Sequence, residues 1–223
     1  MKTYIHCLGW LLWRELFIEF RRKDSILAML LFSIGIIFLF HFSFPADMEK
    51  EPFAAGIIWI AIALAGTFSL NRSMAIDLED AHLDALLLAP VDRSVFFLAK
   101  LLGNTLFMGA MALFLFPIAW LFLDIHLFDF SFLIVSSLGI AGYSIVGSLL
   151  AGMSMQTRLR DTLLSVLLFP ILIPLLVAAV KASTGIFLQT SWQSVLPWVQ
   201  FMLVYDAVFF AIGLMVYPVI VEG

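Results

Sequence analysis

The stretch AKLLGNTLFMGAMALFLFPIAWLFL, residues 99–123, decides the fold class of this chain. Lys100, at its beginning, is its only charged residue. A helix that rises about 1.5 Å per residue needs about 20 mainly apolar residues to cross about 30 Å of hydrocarbon. The stretch therefore predicts a transmembrane helix.

Five further apolar runs of similar length predict five more membrane spans. The six predicted spans are Ser25–Phe44, Phe53–Leu70, Ala99–Leu123, Phe132–Met155, Thr162–Val180 and Trp198–Ile220. Charged or turn residues interrupt the runs, and the break after span 5 is expected to reach from Lys181 to Pro197. A backbone in lipid must satisfy its own hydrogen bonds, so the spans are expected to be helices. The sequence thus predicts an all-α membrane protein with six transmembrane helices, formed by residues 1–223 as one domain.

The composition supports a membrane protein. Apolar residues make up 63% of the chain and charged residues 13%, against about 25% in ordinary soluble domains. The net charge of −4 gives no support for nucleic-acid binding. Cys7 is the only cysteine, which excludes an internal disulfide framework and a multi-thiolate metal site. Charged residues interrupt the first apolar stretch, so no removable leader is expected.

Lysine and arginine residues are divided unequally between the two sides of the predicted membrane. One side holds Lys2, Arg14, Arg21, Arg22, Lys23, Arg72, Arg93, Lys100, Arg158 and Arg160. The other side holds only Lys50 and Lys181. Basic residues are enriched in cytoplasmic segments. The sequence therefore predicts that both termini lie in the cytoplasm.

Residues 8–23, LGWLLWRELFIEFRRK, precede span 1 and have an amphipathic pattern. At helical spacing one arc carries Trp10, Trp13, Leu16, Phe17 and Phe20, and the charged residues lie outside it. This pattern predicts an interfacial helix with its tryptophans at headgroup depth. The alternative is an early, charged start to span 1.

The segment between spans 2 and 3 predicts a second element outside the lipid. Residues 73–88 are expected to form a short helix that stops before Pro90. Its acidic face carries Asp77, Asp80 and Asp84, and an apolar patch beside it carries Leu83, Leu86 and Leu87. Two interpretations stay open, a solvated acidic face and a docking surface for a soluble partner. A metal site with His82 is disfavoured, because no further ligands close the coordination shell.

The sequence lacks four common catalytic and nucleotide-binding motifs. It has no G-x-x-x-x-G-K-[ST] loop, no H-E-x-x-H, no C-x-x-C and no G-x-S-x-G. The four histidines, His6, His41, His82 and His126, are scattered along the chain. We therefore expect a protein that is not an enzyme, with no metal and no directly bound cofactor.

Polar and helix-breaking residues inside the predicted spans are candidates for packing or movement. Span 4 carries small residues four apart, among them Gly147 and Gly152, which permit close helix contact within a bundle or across a dimer. Pro170 and Pro174 in span 5 each remove a backbone hydrogen bond and tend to kink the helix. Such kinks suit gating, but they also occur in static bundles. Asp206 is the only charge well inside a span, and it predicts either a transport-linked carboxyl group or a polar pocket between helices.

Three stretches resemble a known family, haem exporter protein B, the B subunit (CcmB) of the cytochrome c maturation system. They are GIIWIA at 56–61, DLEDAHLDALLLAPVDRSVFFLAK at 77–100 and FPILIPLL at 169–176. The chain length, the six spans and the charged helix before span 1 agree with the family. Ala81 stands where the family is expected to have glycine, which weakens the case for a turn at that position.

The resemblance implies the membrane subunit of an ABC transporter of the ABC-2-like exporter type, in a bacterial inner membrane. Such subunits act as a homodimer with two copies of a separate ATPase, the A subunit. A haem-handling C subunit and a small D subunit complete the complex, which delivers haem to the periplasm for c-type cytochromes. Haem would be cargo, and ATP would bind to the partner. The resemblance also favours docking for residues 73–88, as the helix that couples to the ATPase.

Two other functions fit the physical features. One is an ABC-2-type permease for another cargo, such as a lipid or a polysaccharide. The other is a stand-alone secondary transporter or membrane scaffold, against which the single Asp206 argues weakly. A neighbouring gene for an ATPase and one for a tryptophan-rich haem protein would distinguish the haem-related ABC permease from these two alternatives.

Overall fold

The regular elements of the described residues are all helices. A computed structural model describes residues 2–21, 23–45, 48–79, 94–125, 129–154 and 160–222. The helices are α1 (Lys2–Arg21), α2 (Lys23–Ser43), α3 (Glu51–Glu79), α4 (Ser94–Leu123), α5 (Phe130–Ser154), α6 (Arg160–Phe187) and α7 (Trp192–Glu222). The expected all-α fold is confirmed.

The helices α2 to α7 are long and apolar enough to cross a membrane. Their apolar segments are Ile26–Ser43, Glu51–Asn71, Ser94–Leu123, Phe130–Met153, Leu167–Phe187 and Trp192–Tyr217. Six spans were expected from the hydropathy pattern, and six are found within the described part of the chain. The side of the membrane on which each terminus lies stays a prediction.

Helix α5 lies at the centre of the bundle. It packs against α3, α4, α6 and α7, and most of its residues are buried. Helices α2 and α7 lie at the periphery, and their outward faces carry exposed apolar side chains such as Leu39, Phe42 and Met215. Such a surface suits hydrocarbon, because the exposed apolar patches of soluble proteins are much smaller. The bundle therefore has a packed interior and a lipid-facing exterior.

Helix α1 packs along α4 with its aromatic face turned outward. Trp10, Trp13 and Phe17 are more than half exposed. On the other side the side chain of Glu15 lies against Gly103 of α4, where a Cβ atom would come within 3.1 Å of the Glu15 Cβ. The helix begins at Lys2, six residues before the predicted start at residue 8, and ends at Arg21. The exposed aromatic stripe is the surface that an interfacial helix would present to lipid.

The predicted break from Lys181 to Pro197 is wrong. Helix α6 continues through Lys181 to Phe187, and α7 already begins at Trp192. The actual stop is a left-handed residue, Gln189, with φ of 50°. A single lysine does not end a helix near a membrane surface, because its flexible stem carries the charge toward water.

Helix α3 is longer than the apolar run that predicts it. It covers 29 residues, and its apolar segment ends at Asn71, eight residues before the helix ends at Glu79. At about 1.5 Å per residue, α3 carries the chain about 12 Å beyond Asn71. The helix expected to begin near Ser73 is therefore continuous with span 2 at its start. Residues 80–88 of that predicted helix lie outside the described residues.

Candidate functional sites in the helix bundle

Asp206 of α7 is buried where α5, α6 and α7 meet. The residue is 8% exposed, and neither carboxyl oxygen has a hydrogen-bond partner among the described residues. Its Oδ1 lies so close to Gly142 of α5 that a Cβ atom there would overlap it, and Leu175 of α6 borders the same position. An unpaired charge in such surroundings would be costly.

The neighbouring residue, Tyr205, joins α7 to the proline-containing part of α6. Its hydroxyl group donates to the carbonyl oxygen of Ile171 at 2.7 Å. Pro170 and Pro174 both lie inside α6, where the missing N–H of Pro174 leaves the carbonyl group of Pro170 without its usual helical partner. Asp206 therefore lies beside a part of α6 whose backbone hydrogen bonding is weakened, and a gating role for Pro170 and Pro174 stays a prediction.

The small residues of α5 make close contacts within the same chain. Gly147 lies against Leu70 of α3, and Gly152 lies against Tyr217 of α7. In each case a Cβ atom would overlap the neighbouring side chain. Ser148 of α5 accepts a hydrogen bond from Asn104 of α4 at 3.1 Å. The glycines and the serine thus let α5 approach three neighbouring helices of its own bundle.

Two buried polar contacts join helices in ways that the sequence did not predict. Trp59 of α3 donates from Nε1 to the Oγ of Ser183 on α6 at 3.0 Å. Tyr143 of α5 donates to the carbonyl oxygen of Ala63 at 2.7 Å, and its hydroxyl oxygen also lies 2.7 Å from Thr67 Oγ1. The only sequence signal for Trp59 was its place in GIIWIA, and a lone tyrosine or serine in an apolar run gave none.

His41 ties α2 to α4 near one end of the bundle. Its Nδ1 lies 2.6 Å from the carbonyl oxygen of Phe122, which requires a proton on that nitrogen. Lys50 Nζ lies 3.2 Å from His41 Nδ1, which cannot accept a hydrogen bond from the ammonium group while it donates to Phe122. His126 lies outside the described residues.

Most residues of the predicted docking surface lie outside the described part of the chain. Asp80, Leu83, Asp84, Leu86 and Leu87 lie outside the described residues. Asp77 belongs to the last turns of α3, but the position of its side chain is not described. What the structure adds is the extension of α3 past its apolar segment, which leads directly into this surface.

The six long apolar helices among the described residues define the class of protein. It is a multi-pass α-helical membrane protein, and its sequence contains no phosphate-binding loop. Comparison with known families is more specific: the model of the CcmB protein family matches residues 7–217. The chain therefore belongs to the CcmB family.

Curated relatives agree with this assignment. Heme exporter protein B of Pseudomonas aeruginosa is 29% identical over 169 residues, which cover 75% of this chain and 76% of the relative. Heme exporter protein B of Haemophilus influenzae is 31% identical over 168 residues, which cover 74% and 76% of the two chains. The similarity thus extends over most of each protein.

Proposed function

We propose that this chain is the membrane subunit of an ATP-driven ABC transporter that acts in haem export for c-type cytochrome biogenesis. The observation that carries the proposal is the family match over residues 7–217, on a chain with six membrane spans. Relatives that share about three quarters of their length with it are named heme exporter protein B. Haem is the cargo of the complex rather than a cofactor held by this chain.

The energy for transport comes from a separate subunit. The sequence has no phosphate-binding loop, so ATP is bound and hydrolysed by a partner ATPase. Residues 73–88 form the surface on which that ATPase docks. The rise of α3 about 12 Å beyond Asn71 supports this role, because it carries the chain away from the apolar segment toward water.

The chain acts as a homodimer in the bacterial inner membrane, with its termini in the cytoplasm. Ten basic residues against two support this orientation. The two chains assemble with two ATPase subunits, a haem-handling C subunit and a small D subunit. The docking surface then lies on the same side of the membrane as ATP.

Isolation of the intact complex tests this proposal. A tag on the full-length chain, expressed from its own locus, should retain an ATPase with a phosphate-binding loop and a tryptophan-rich haem protein after extraction in mild detergent. Mass spectrometry identifies both. Retention of an ATPase together with enzymes of lipid or polysaccharide synthesis, and without the haem protein, would instead favour another cargo.

A further inference from the structure

His41 of α2 has one ring nitrogen that is engaged and one that is open. Its Nδ1 donates to the carbonyl oxygen of Phe122 on α4, so the proton of the neutral ring lies on Nδ1. Within the described part of the chain Nε2 has no hydrogen-bond partner, and it does not belong to the buried atoms that lack one. Histidines that bind a metal commonly donate from the other nitrogen to a backbone carbonyl in this way. His41 Nε2 therefore has the lone pair and the orientation of a metal ligand.

Phenylalanine rings surround the imidazole ring of His41. Phe42 and Phe122 lie edge-on to it, with ring centroids 5.2 and 5.4 Å away. Phe38, one turn earlier on α2, has its ring centroid 4.3 Å from that of Phe122. The side chain of Phe42 is 76% exposed, so its ring presents an open face beside the histidine. The imidazole ring is thus part of an aromatic surface against which a flat macrocycle can pack.

This aromatic surface lies at one boundary of the membrane-spanning bundle. His41 is two residues before the end of the apolar segment of α2 at Ser43, and Phe122 is one residue before the end of that of α4. Lys50, which precedes the first residue of α3, places its Nζ 3.2 Å from His41 Nδ1. The surroundings of His41 are therefore apolar toward the hydrocarbon and cationic toward the connection between α2 and α3.

The chemistry of these surroundings distinguishes a haem from a bare metal ion. Among the described residues, no three His, Cys, Asp or Glu side chains lie close enough to hold a metal ion. A porphyrin supplies four nitrogen ligands to its iron and needs only axial ligands from the protein, for which histidine is common. The ammonium group of Lys50 would repel a bare divalent cation, whereas it would attract the propionate groups of a haem. An apolar ring with carboxylates on one edge also matches a site at the boundary between hydrocarbon and water.

We propose that His41 Nε2 is an axial ligand of haem, with Phe42 against the porphyrin ring and the propionate groups on the side of Lys50. The bond forms from the Nε2 lone pair to the iron, with no transfer of a proton or an electron. This inference rests on the proposed function, which makes haem the cargo. With both termini in the cytoplasm, α2 ends at the periplasmic surface, so His41 holds the cargo on the side to which haem is delivered.

Three changes separate the ligand from the packing around it. His41→Asn removes the ligand but keeps an N–H donor for the carbonyl oxygen of Phe122, and His6→Asn makes the same change at an exposed histidine of α1. His41→Ala leaves space in which added imidazole can replace the lost ring. Phe42→Ala removes the neighbouring aromatic ring and leaves the ligand in place.

Titration of ferric haem into the full-length chain in phosphatidylcholine nanodiscs tests the site, with empty nanodiscs as the reference for haem in lipid. Optical absorption and electron paramagnetic resonance identify histidine ligation. We expect one histidine-ligated haem per chain in the wild type and in His6→Asn. His41→Asn should lose the histidine signal, and imidazole should restore it in His41→Ala, which also shows that the variant is folded. Phe42→Ala should keep the signal and bind haem about fivefold more weakly.

Two outcomes would overturn the proposal. The first is the same haem spectrum and affinity in the wild type and in His41→Asn. The second is binding of Zn²⁺ that depends on His41 and is not displaced by haem, which would make His41 part of a site for a bare metal ion. Either result would leave the proposed function standing, because that function is tested separately by the loss of c-type cytochromes when the gene is deleted.

Discussion

The carboxyl group of Asp206 on α7 lies directly against Gly142 on α5, at a point where a methyl group could not be added without overlap. Asp206 is almost fully buried, and its two oxygens have no hydrogen-bond partner within the described part of the chain. The missing side chain of Gly142 is therefore what makes room for a carboxyl group between three helices. A transport role for this costly buried carboxyl group stays a prediction.

Gly142→Ala should destabilise the bundle. The added methyl group would overlap Asp206 Oδ1 and crowd Leu175, and overpacking of this kind costs about 1–3 kcal/mol. The measurement is the free energy of unfolding in mixed micelles. Gly109→Ala on α4 is the control, because no atom lies within 4 Å of a Cβ there, and it should be neutral or slightly stabilising.

A double variant separates the contact from a general effect of alanine on α5. Asp206→Ala removes the atom that a Cβ at position 142 would meet, so the cost of Gly142→Ala should shrink by at least about 0.5 kcal/mol in that background. Simple additivity of the two changes would contradict the contact between Gly142 and Asp206.

Asp206→Asn tests the chemical role of the carboxyl group. Asparagine has nearly the same shape but cannot exchange a proton, so the variant should insert and fold like the wild type. If the carboxyl group serves transport, covalent haem on c-type cytochromes should fall severely while the amount of the chain in the membrane stays the same. Full cytochrome assembly with Asp206→Asn would leave the carboxyl group with a packing role only.

Ser183→Ala should weaken the junction between α3 and α6. The change leaves the indole N–H of Trp59 buried without its acceptor, and hydrogen bonds between membrane helices contribute about 0.6–2 kcal/mol. Thermal unfolding in detergent measures the loss. Ser43→Ala is the control, because Ser43 is exposed and its one hydrogen bond among the described residues is to the carbonyl oxygen of Leu39 in its own helix. Equal effects of the two changes would contradict a special role for the Trp59–Ser183 bond.

Asp80→Lys combined with Asp84→Lys should reduce co-purification of the ATPase while leaving membrane insertion intact. The change reverses the charge of the proposed docking surface. Glu49→Lys with Glu51→Lys is the matched control, because Glu51 begins α3 and Glu49 lies just before it, about 42 Å from Glu79 at the other end of the helix. Undiminished recovery of the ATPase with the first pair would refute docking at residues 73–88.

The number of spans was predictable because a helix that crosses lipid must be a long run of mainly apolar residues. The helix ends were less predictable, since they depend on local geometry. Asp124, at a predicted break, does follow the end of α4 with a left-handed φ of 53°. Gln189 likewise follows the end of α6 with a left-handed φ, but the charge of Lys181 suggested that the helix would end earlier.

The partners of each helix could not be predicted from the same pattern. Spans that are apolar all round give no amphipathic face to show which side is buried. The sequence therefore marked Asp206, Gly147 and Gly152 as notable residues, but not their contacts with Gly142, Leu70 and Tyr217.

Deletion of the gene in its native host, followed by haem staining of denatured membrane and periplasmic proteins, tests the assignment to haem export. We expect covalent haem to disappear from all c-type cytochromes while b-type haem persists, and the wild-type gene supplied in trans should restore it. Normal covalent haem on c-type cytochromes in the deletion strain would contradict the assignment of this chain to haem export.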